Sequence, residues 1–180
     1  MTRRLLDAPV LETERLLLRA PEARDGAAME AFFVTERARW VGGPLSPMWS
    51  WRILAMHTGQ WLLRGYGSFV LVERETGRAI GLAGPWHPGD WPEAEFAWSI
   101  WSPEDEGRGF AVEAMRRIAA HVWDDLGWST AVSYIARDNA RSAALAERLG
   151  ARIDPRAARP PKAEVPVTVY RHPHPSERAA

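Results

Sequence analysis

Gly107 and Gly109 stand two apart between a strand-like run and a helix-like one. Before them, Glu93–Trp101 ("EAEFAWSIW") is aromatic-rich and imperfectly alternating, which favours a strand. After them, apolar side chains fall at Val112, Met115, Ile118, Ala119, Val122, Trp123 and Leu126, so Ala111–Leu126 reads as an amphipathic helix that Gly127 ends. Thr130–Ala136 ("TAVSYIA") follows as a short strand of buried type. The middle of the chain is therefore one strand–helix–strand crossover with two flexible residues at its first corner.

The flanking segments complete the pattern. Leu11–Arg19 reads as one strand. Pro21 and Asp25 start a helix with apolar positions at Met29, Phe32 and Phe33. A loop "VGGPLSP" leads to a helix over Ser50–Arg64, which Gly65 can cap. Ser68–Glu73 and Arg78–Ala83 form a hairpin about Thr76-Gly77. Asp138-Asn139 are good N-cap residues for a helix that stops at Gly150. Ala163–Arg171 is a last strand, with Pro166 pointing to an edge or a bulge. No repeat or second domain interrupts this order. The class is α/β or α+β: one domain over 10–171, a short extension at 1–9 and a polar tail at 172–180.

Composition narrows the chemistry. The 180 residues suit a single domain. The 23 basic and 23 acidic residues balance, so no nucleic-acid surface is expected. There is no cysteine, which excludes disulfides, thiolate metal sites and a cysteine nucleophile. No apolar run has signal-peptide or membrane-span length, so the expectation is a soluble cytoplasmic protein with no membrane partner. His172 and His174 show no ligand-type spacing, and no metal is expected.

Two readings of "EGRGFA" (Glu106–Ala111) stand side by side. It is a tight strand-to-helix turn, or it is a turn whose bare backbone N–H groups close on an anion at a helix N-terminus. A Walker-A loop is excluded, because no Gly-Lys-Ser/Thr follows. A dinucleotide fingerprint needs a third glycine where Val112 stands. A hydrolase is poorly supported, because no G-x-S-x-G elbow occurs.

A second element joins the first: "NARSAALAERLGA" (Asn139–Ala151) follows the next strand. Together they resemble the GNAT superfamily of acetyl-CoA-dependent N-acyltransferases. Its signatures are Q/R-x-x-G-x-G/A and, later, N-x-x-S/A-x-x-L-x-E-x-L-G. The second matches at Asn139, Ser142, Leu145, Glu147, Leu149 and Gly150. The opening "LETERLLLR" is similar to the branch that includes the ribosomal-protein alanine N-acetyltransferases. The resemblance covers roughly Val10 to Arg171 and implies a mixed central sheet, splayed between two parallel strands and flanked by about four helices.

It also implies a site. Acetyl-CoA lies between Glu93–Trp101 and Thr130–Ala136. Its pyrophosphate meets the N–H groups of Gly107, Arg108, Gly109, Phe110 and Ala111, and its pantetheine pairs with backbone near Ile100 and Trp101. Asn139 and Ser142 face it from the second motif. Cations for the 3′-phosphate come from Arg137, Arg141, Arg148, Arg152, Arg156, Arg159 and Lys162, with Arg148 the first candidate. Glu106 stands where the superfamily often has Gln or Arg, and is expected to point away from the phosphates. Ala146 stands where many relatives carry a tyrosine that protonates the leaving thiolate, so Ser142 becomes the candidate donor. Glu95 is the preferred base, with Glu93, His57, His121 and water behind it. Trp49, Trp51, Trp61, Trp86, Trp91, Trp98 and Trp101 gather near the acceptor side, mostly as core. The implied activity is acetyl transfer to a primary amine, on a protein N-terminus or a small molecule, by a monomer or homodimer. The alternative is a non-catalytic acyl-CoA-binding protein.

Overall fold

A computed structural model describes residues 8–160 and 165–177. β1 (Leu11–Glu12) and β2 (Leu16–Arg19) form a hairpin, and α1 (Gly26–Phe33) and α2 (Pro47–Arg64) follow. β3 (Phe69–Glu73), β4 (Ala79–Trp86) and β5 (Glu95–Ile100) run as an antiparallel meander. α3 (Phe110–Asp124) crosses to β6 (Ala131–Ala136), and α4 (Ala140–Arg148) leads to β7 (Arg152–Ile153) and β8 (Val167–His172). The sheet order is β1-β2-β3-β4-β5-β6-β8-β7. Among the described residues β5 and β6 make its one parallel pair, joined at a single bridge, Glu95↔Val132. This is one mixed α/β domain.

Side-chain alternation along the strands divides the core between two layers. Leu16, Leu18, Phe69, Leu71 and Phe96 pack against Phe110, Met115, Ile118 and Val122 of α3, with Leu145 of α4. Val70, Val72, Leu82 and Trp101 pack on the other face against Met29, Phe32 and Phe33 of α1 and Leu54 of α2. β3 is buried on both faces along its length, as a central strand covered by helices must be. Among the described residues no helix is long and apolar enough to cross a membrane.

Several boundaries differ from the sequence reading: β4 runs on to Trp86, β5 spans only Glu95–Ile100, and α3 runs Phe110–Asp124. Leu11–Arg19 is two strands, not one, because Glu113 of α3 takes the groups freed by a turn at its centre. Glu113 accepts from Thr13 Oγ1 at 2.6 Å and from the Arg15 N–H at 2.9 Å. α2 begins at Pro47, which sits at the first helical position, where its missing N–H costs nothing. The last strand runs Val167–His172 rather than ending at Arg171, and Ala163 and Glu164 lie outside the described residues.

Candidate active site

Beyond the Glu95↔Val132 bridge, β5 and β6 part and leave a cleft of about 380 Å³. β5 and β6 form its walls, and the turn Glu106–Phe110, the start of α3 and the start of α4 close one end. Gly107, Gly109, Phe110, Ala111, Ile100, Asn139, Ser142, Arg148 and Glu95 all line it. Residues from both motifs and the preferred base therefore share one space.

The glycine turn has a conformational cause. Gly107 and Gly109 have φ of +73° and +83°, a left-handed region unfavourable to side chains. Gly109 is the N-cap of the 15-residue helix α3, so unpaired N–H groups and the positive dipole end meet at the cleft. A Cβ at Gly107 would meet nothing within 4 Å. The turn is braced from behind, where Arg15 Nη1 donates to the Arg108 carbonyl at 2.9 Å. The Arg108 side chain also turns back, pairing with Glu73 at 2.9 Å and Asp105 at 3.2 Å, so at this position the backbone alone is offered to a ligand. These features fit an anionic group such as a pyrophosphate.

Along β5, neighbouring residues address opposite strands. Ala94 O accepts from Val132 N–H at 3.1 Å, and Trp101 N–H donates to Ile80 O at 2.9 Å. By that alternation Trp98 and Ile100 present backbone to the cleft and Trp101 does not. The expectation of pairing near Trp101 is corrected accordingly: its N–H is spent on β4 and its side chain is core. The Ile100 carbonyl accepts from Arg37 Nη2 at 3.3 Å.

Glu95 is buried. Its Oε2 accepts from Trp91 Nε1 at 2.7 Å and its Oε1 from the Tyr134 N–H at 3.3 Å. Burial pushes its carboxyl up to about 7, against the pull of those two donors. Glu93 is held by Arg171 through bonds of 2.8 and 3.0 Å, which ties it up as a second base. His57 does not line the cleft; its ring lies tilted at 42° against that of Trp86, 4.4 Å away, and burial pushes it down to about 4. His121 pairs with Asp125 at 2.6 Å.

At the α4 end, Asn139 Oδ1 caps the helix by accepting from Ser142 N–H at 3.1 Å, and Ser142 Oγ accepts from Trp98 Nε1 at 3.3 Å. Ala146 is fully buried among Ile135, Ala151 and Tyr170 and does not line the cleft. Arg141 and Arg148 are the basic residues of the 137–162 group that line it, and Lys162 lies outside the described residues. Glu106 does not point away: it lines the cleft, with Oε1 on Arg37 at 2.7 Å and Oε2 on Arg141. Two cations make room for the anion there.

The tryptophans divide. Trp98 lines the cleft, Trp91 holds Glu95, Trp61 and Trp101 are core, and Trp49 and Trp51 are exposed on α2. Sequence reasoning passed over Arg37, Trp40, Ser133 and Tyr134, all of which line the cleft. Tyr134 Oη is buried and has no hydrogen-bond partner within the protein, and burial pushes the phenol up to about 12. No local motif marks any of the four. Among the described residues no three His, Asp or Glu side chains gather as a metal site.

Residues 15–152 match the sequence profile of the acetyltransferase (GNAT) domain. The chain belongs to the GNAT acetyltransferase family. Its structure is similar to that of an acetyltransferase from Agrobacterium tumefaciens str. C58, with 34% identity, a TM-score of 0.85 and coverage of 95% of this chain and 98% of the other. A GNAT-family acetyltransferase from Bordetella pertussis is similar at 29% identity and TM-score 0.77, over 91% and 99% of the two chains. The fold is shared with a ribosomal L7/L12 α-N-protein acetyltransferase solved in complex with coenzyme A, at 15% identity and TM-score 0.72 over 92% and 98%. No curated protein matches the chain. The family's activity is acetyl transfer from acetyl-CoA, and the glycine turn, the helix N-terminus and the open edge of β5 are the parts of this GNAT domain suited to that molecule.

Proposed function

We propose that the chain is an N-acetyltransferase that moves an acetyl group directly onto a primary amine, on a protein N-terminus or a small molecule. The observation that carries this reading is the carboxyl of Glu95, with a pKa near 7, on the wall of the same cleft as the Gly107–Gly109 turn. Acetyl-CoA, when bound, supplies an activated thioester. The backbone N–H groups of Gly107, Arg108, Gly109, Phe110 and Ala111 hold its pyrophosphate, and Arg148 serves its 3′-phosphate. Ile100 offers backbone to the pantetheine. Trp98 N–H, directed into the cleft, donates to the acyl oxygen as negative charge develops there.

Glu95 accepts the proton of the attacking amine. Its two present bonds leave lone pairs free, because a carboxylate has about four. Its pKa suits a base working near neutrality. Ser142 Oγ, oriented by Trp98, donates to the departing sulfur.

The test is a panel of primary amines, including short peptides with free N-termini, incubated with acetyl-CoA. Free thiol and acetylated product are measured together. Amine-dependent thiol release with matching product is expected. Tight CoA binding without transfer to any amine would instead identify a non-catalytic acyl-CoA-binding protein.

A further inference from the structure

The point at which β5 and β6 part is set by side chains. Their one bridge, Glu95↔Val132, includes the bond from Val132 N–H to Ala94 O at 3.1 Å. A parallel ladder repeats every two residues. The next bridge would pair Ala97 with Tyr134, with Tyr134 N–H donating to Phe96 O and Trp98 N–H donating to Tyr134 O. That bridge is absent from the β5–β6 register. Tyr134 N–H donates instead to Glu95 Oε1 at 3.3 Å, and Phe96 O accepts instead from Ser133 Oγ at 2.6 Å.

Two backbone groups that would have met each other are thus each taken by a side chain reaching across from the opposite strand. Glu95 crosses from β5 to β6, and Ser133 crosses from β6 to β5. Both are buried, with 8% and 1% of their surface exposed, so water does not compete for these bonds. Ser133 is fixed in turn. Its single hydroxyl proton goes to Phe96 O, so its 2.9 Å contact with His172 must have His172 Nε2–H as the donor. His172 sits on β8, is 2% exposed, and packs its ring at 5.1 Å from that of Phe96.

We propose that Glu95 and Ser133, with His172 holding Ser133, form a paired wedge that stops the parallel ladder after one bridge and so keeps Trp98 N–H free for the ligand. Buried backbone groups are almost always paired. With the wedge in place, Tyr134 N–H and Phe96 O are satisfied while the strands diverge. Without it, each becomes the other's best partner, and the strands close to the ordinary spacing of about 4.8 Å. Closing that bridge also consumes Trp98 N–H, the donor assigned above to the acyl oxygen. Ser133 and His172 are positioning residues in this scheme, and Glu95 has a structural duty besides the basic one. The consequence for catalysis rests on the acyl-CoA reading of the cleft; the wedge itself does not.

The test is amide hydrogen exchange at Tyr134 and Trp98 by NMR, with calorimetric titration of CoA, on the full chain. In Ser133→Ala the exchange of both amides is expected to slow at least about tenfold, with CoA affinity falling by a similar factor. Ser133→Thr, which keeps the hydroxyl, is expected to restore both values. Glu95→Ala frees Tyr134 N–H from the other side and is expected to slow the same two amides, which keeps the wedge testable if Ser133→Ala does not fold. Wild-type exchange at both amides in whichever of these variants folds would overturn the wedge. Failure of the wild-type chain to bind CoA would instead overturn the proposed function, with the exchange measurement still deciding the wedge.

Discussion

Trp98 Nε1 donates to Ser142 Oγ at 3.3 Å, tying the open edge of β5 to the first turn of α4. The bond uses a lone pair of the hydroxyl and leaves its proton available. Because Asn139 holds the Ser142 N–H, the side chain is set from two directions. Ser142→Ala is expected to lower kcat about ten- to hundredfold, or roughly 1.4–2.8 kcal/mol in transition-state stabilisation. KM for acetyl-CoA should change less, because the bond strengthens only as charge develops on sulfur. A tyrosine at Ala146 should not rescue this variant, since that position is enclosed by Ile135, Ala151 and Tyr170. Steady-state rates measured where chemistry limits turnover check this. Unchanged kcat would leave Ser142 as a helix-start residue.

Glu95 predicts two pH dependences of opposite use. Only the ionised carboxylate accepts a proton, so kcat should rise with pH and level off above about 7, the value to which burial pushes the group. Glu95→Gln should lower kcat by about 10²–10⁴-fold and remove that limb. Stability runs the other way. The unfolded chain releases this proton near 4.5 and the folded chain near 7, so between those values the folded state binds more protons and stability falls as pH rises. Acting alone, the group would cost about 3 kcal/mol by pH 8. His57, pushed down to about 4 by burial, destabilises the fold as pH drops below 6.5, so its window overlaps. The difference between wild type and Glu95→Gln cancels it. Urea midpoints from pH 5 to 8 should decline more steeply in wild type than in the variant.

Gly109 separates backbone strain from ligand contact. At φ +83° an alanine is strained, so Gly109→Ala should cost about 1–2 kcal/mol of stability. Gly109→Glu should carry similar strain, leaving a folded protein, and also put a carboxylate at the N-terminus of α3 on the Arg15 side, where its Cβ would stand 3.5 Å from Arg15 Nη2. That negative charge opposes an anion at the same helix end, so CoA binding should weaken more in the glutamate variant than in the alanine one. Calorimetry on both, with thermal unfolding as the control, checks this. Wild-type CoA affinity in a folded Gly109→Glu would overturn the role of the turn.

What could be read from the sequence was local. The turn at Gly107 and Gly109 announces itself through residue type, and α3 through spacing. α4 carries its cap and its glycine within a dozen residues. What escaped depends on partners remote in the chain. The break in Leu11–Arg19 is made by Glu113, 98 residues beyond Arg15. Ser133 acquires its meaning from His172, 39 residues on, in a segment that reads as a polar tail. Tyr134 looks like any strand tyrosine until folding buries its hydroxyl without a partner. The direction of Glu106 was missed for the same reason, because neither Arg37 nor Arg141 is its neighbour in sequence.

Glu106 therefore supplies a direct test of charge at the mouth of the cleft. Its carboxylate lies between Arg37 and Arg141, so the three groups together carry one positive charge where a phosphate is expected. Glu106→Gln raises that charge to two and releases both guanidinium groups for the ligand. CoA should bind about two- to fivefold more tightly to this variant at low salt, the scale of partly exposed charge interactions. At 1 M salt exposed charges act over only about 3 Å, so the advantage should disappear there and the variant should show the steeper salt dependence. Arg141→Ala should do the reverse, weakening CoA and flattening the salt response. Titration of CoA across a salt series checks all three proteins. Weaker binding by Glu106→Gln would mean instead that the carboxylate aims Arg141 at the phosphate rather than competing for it.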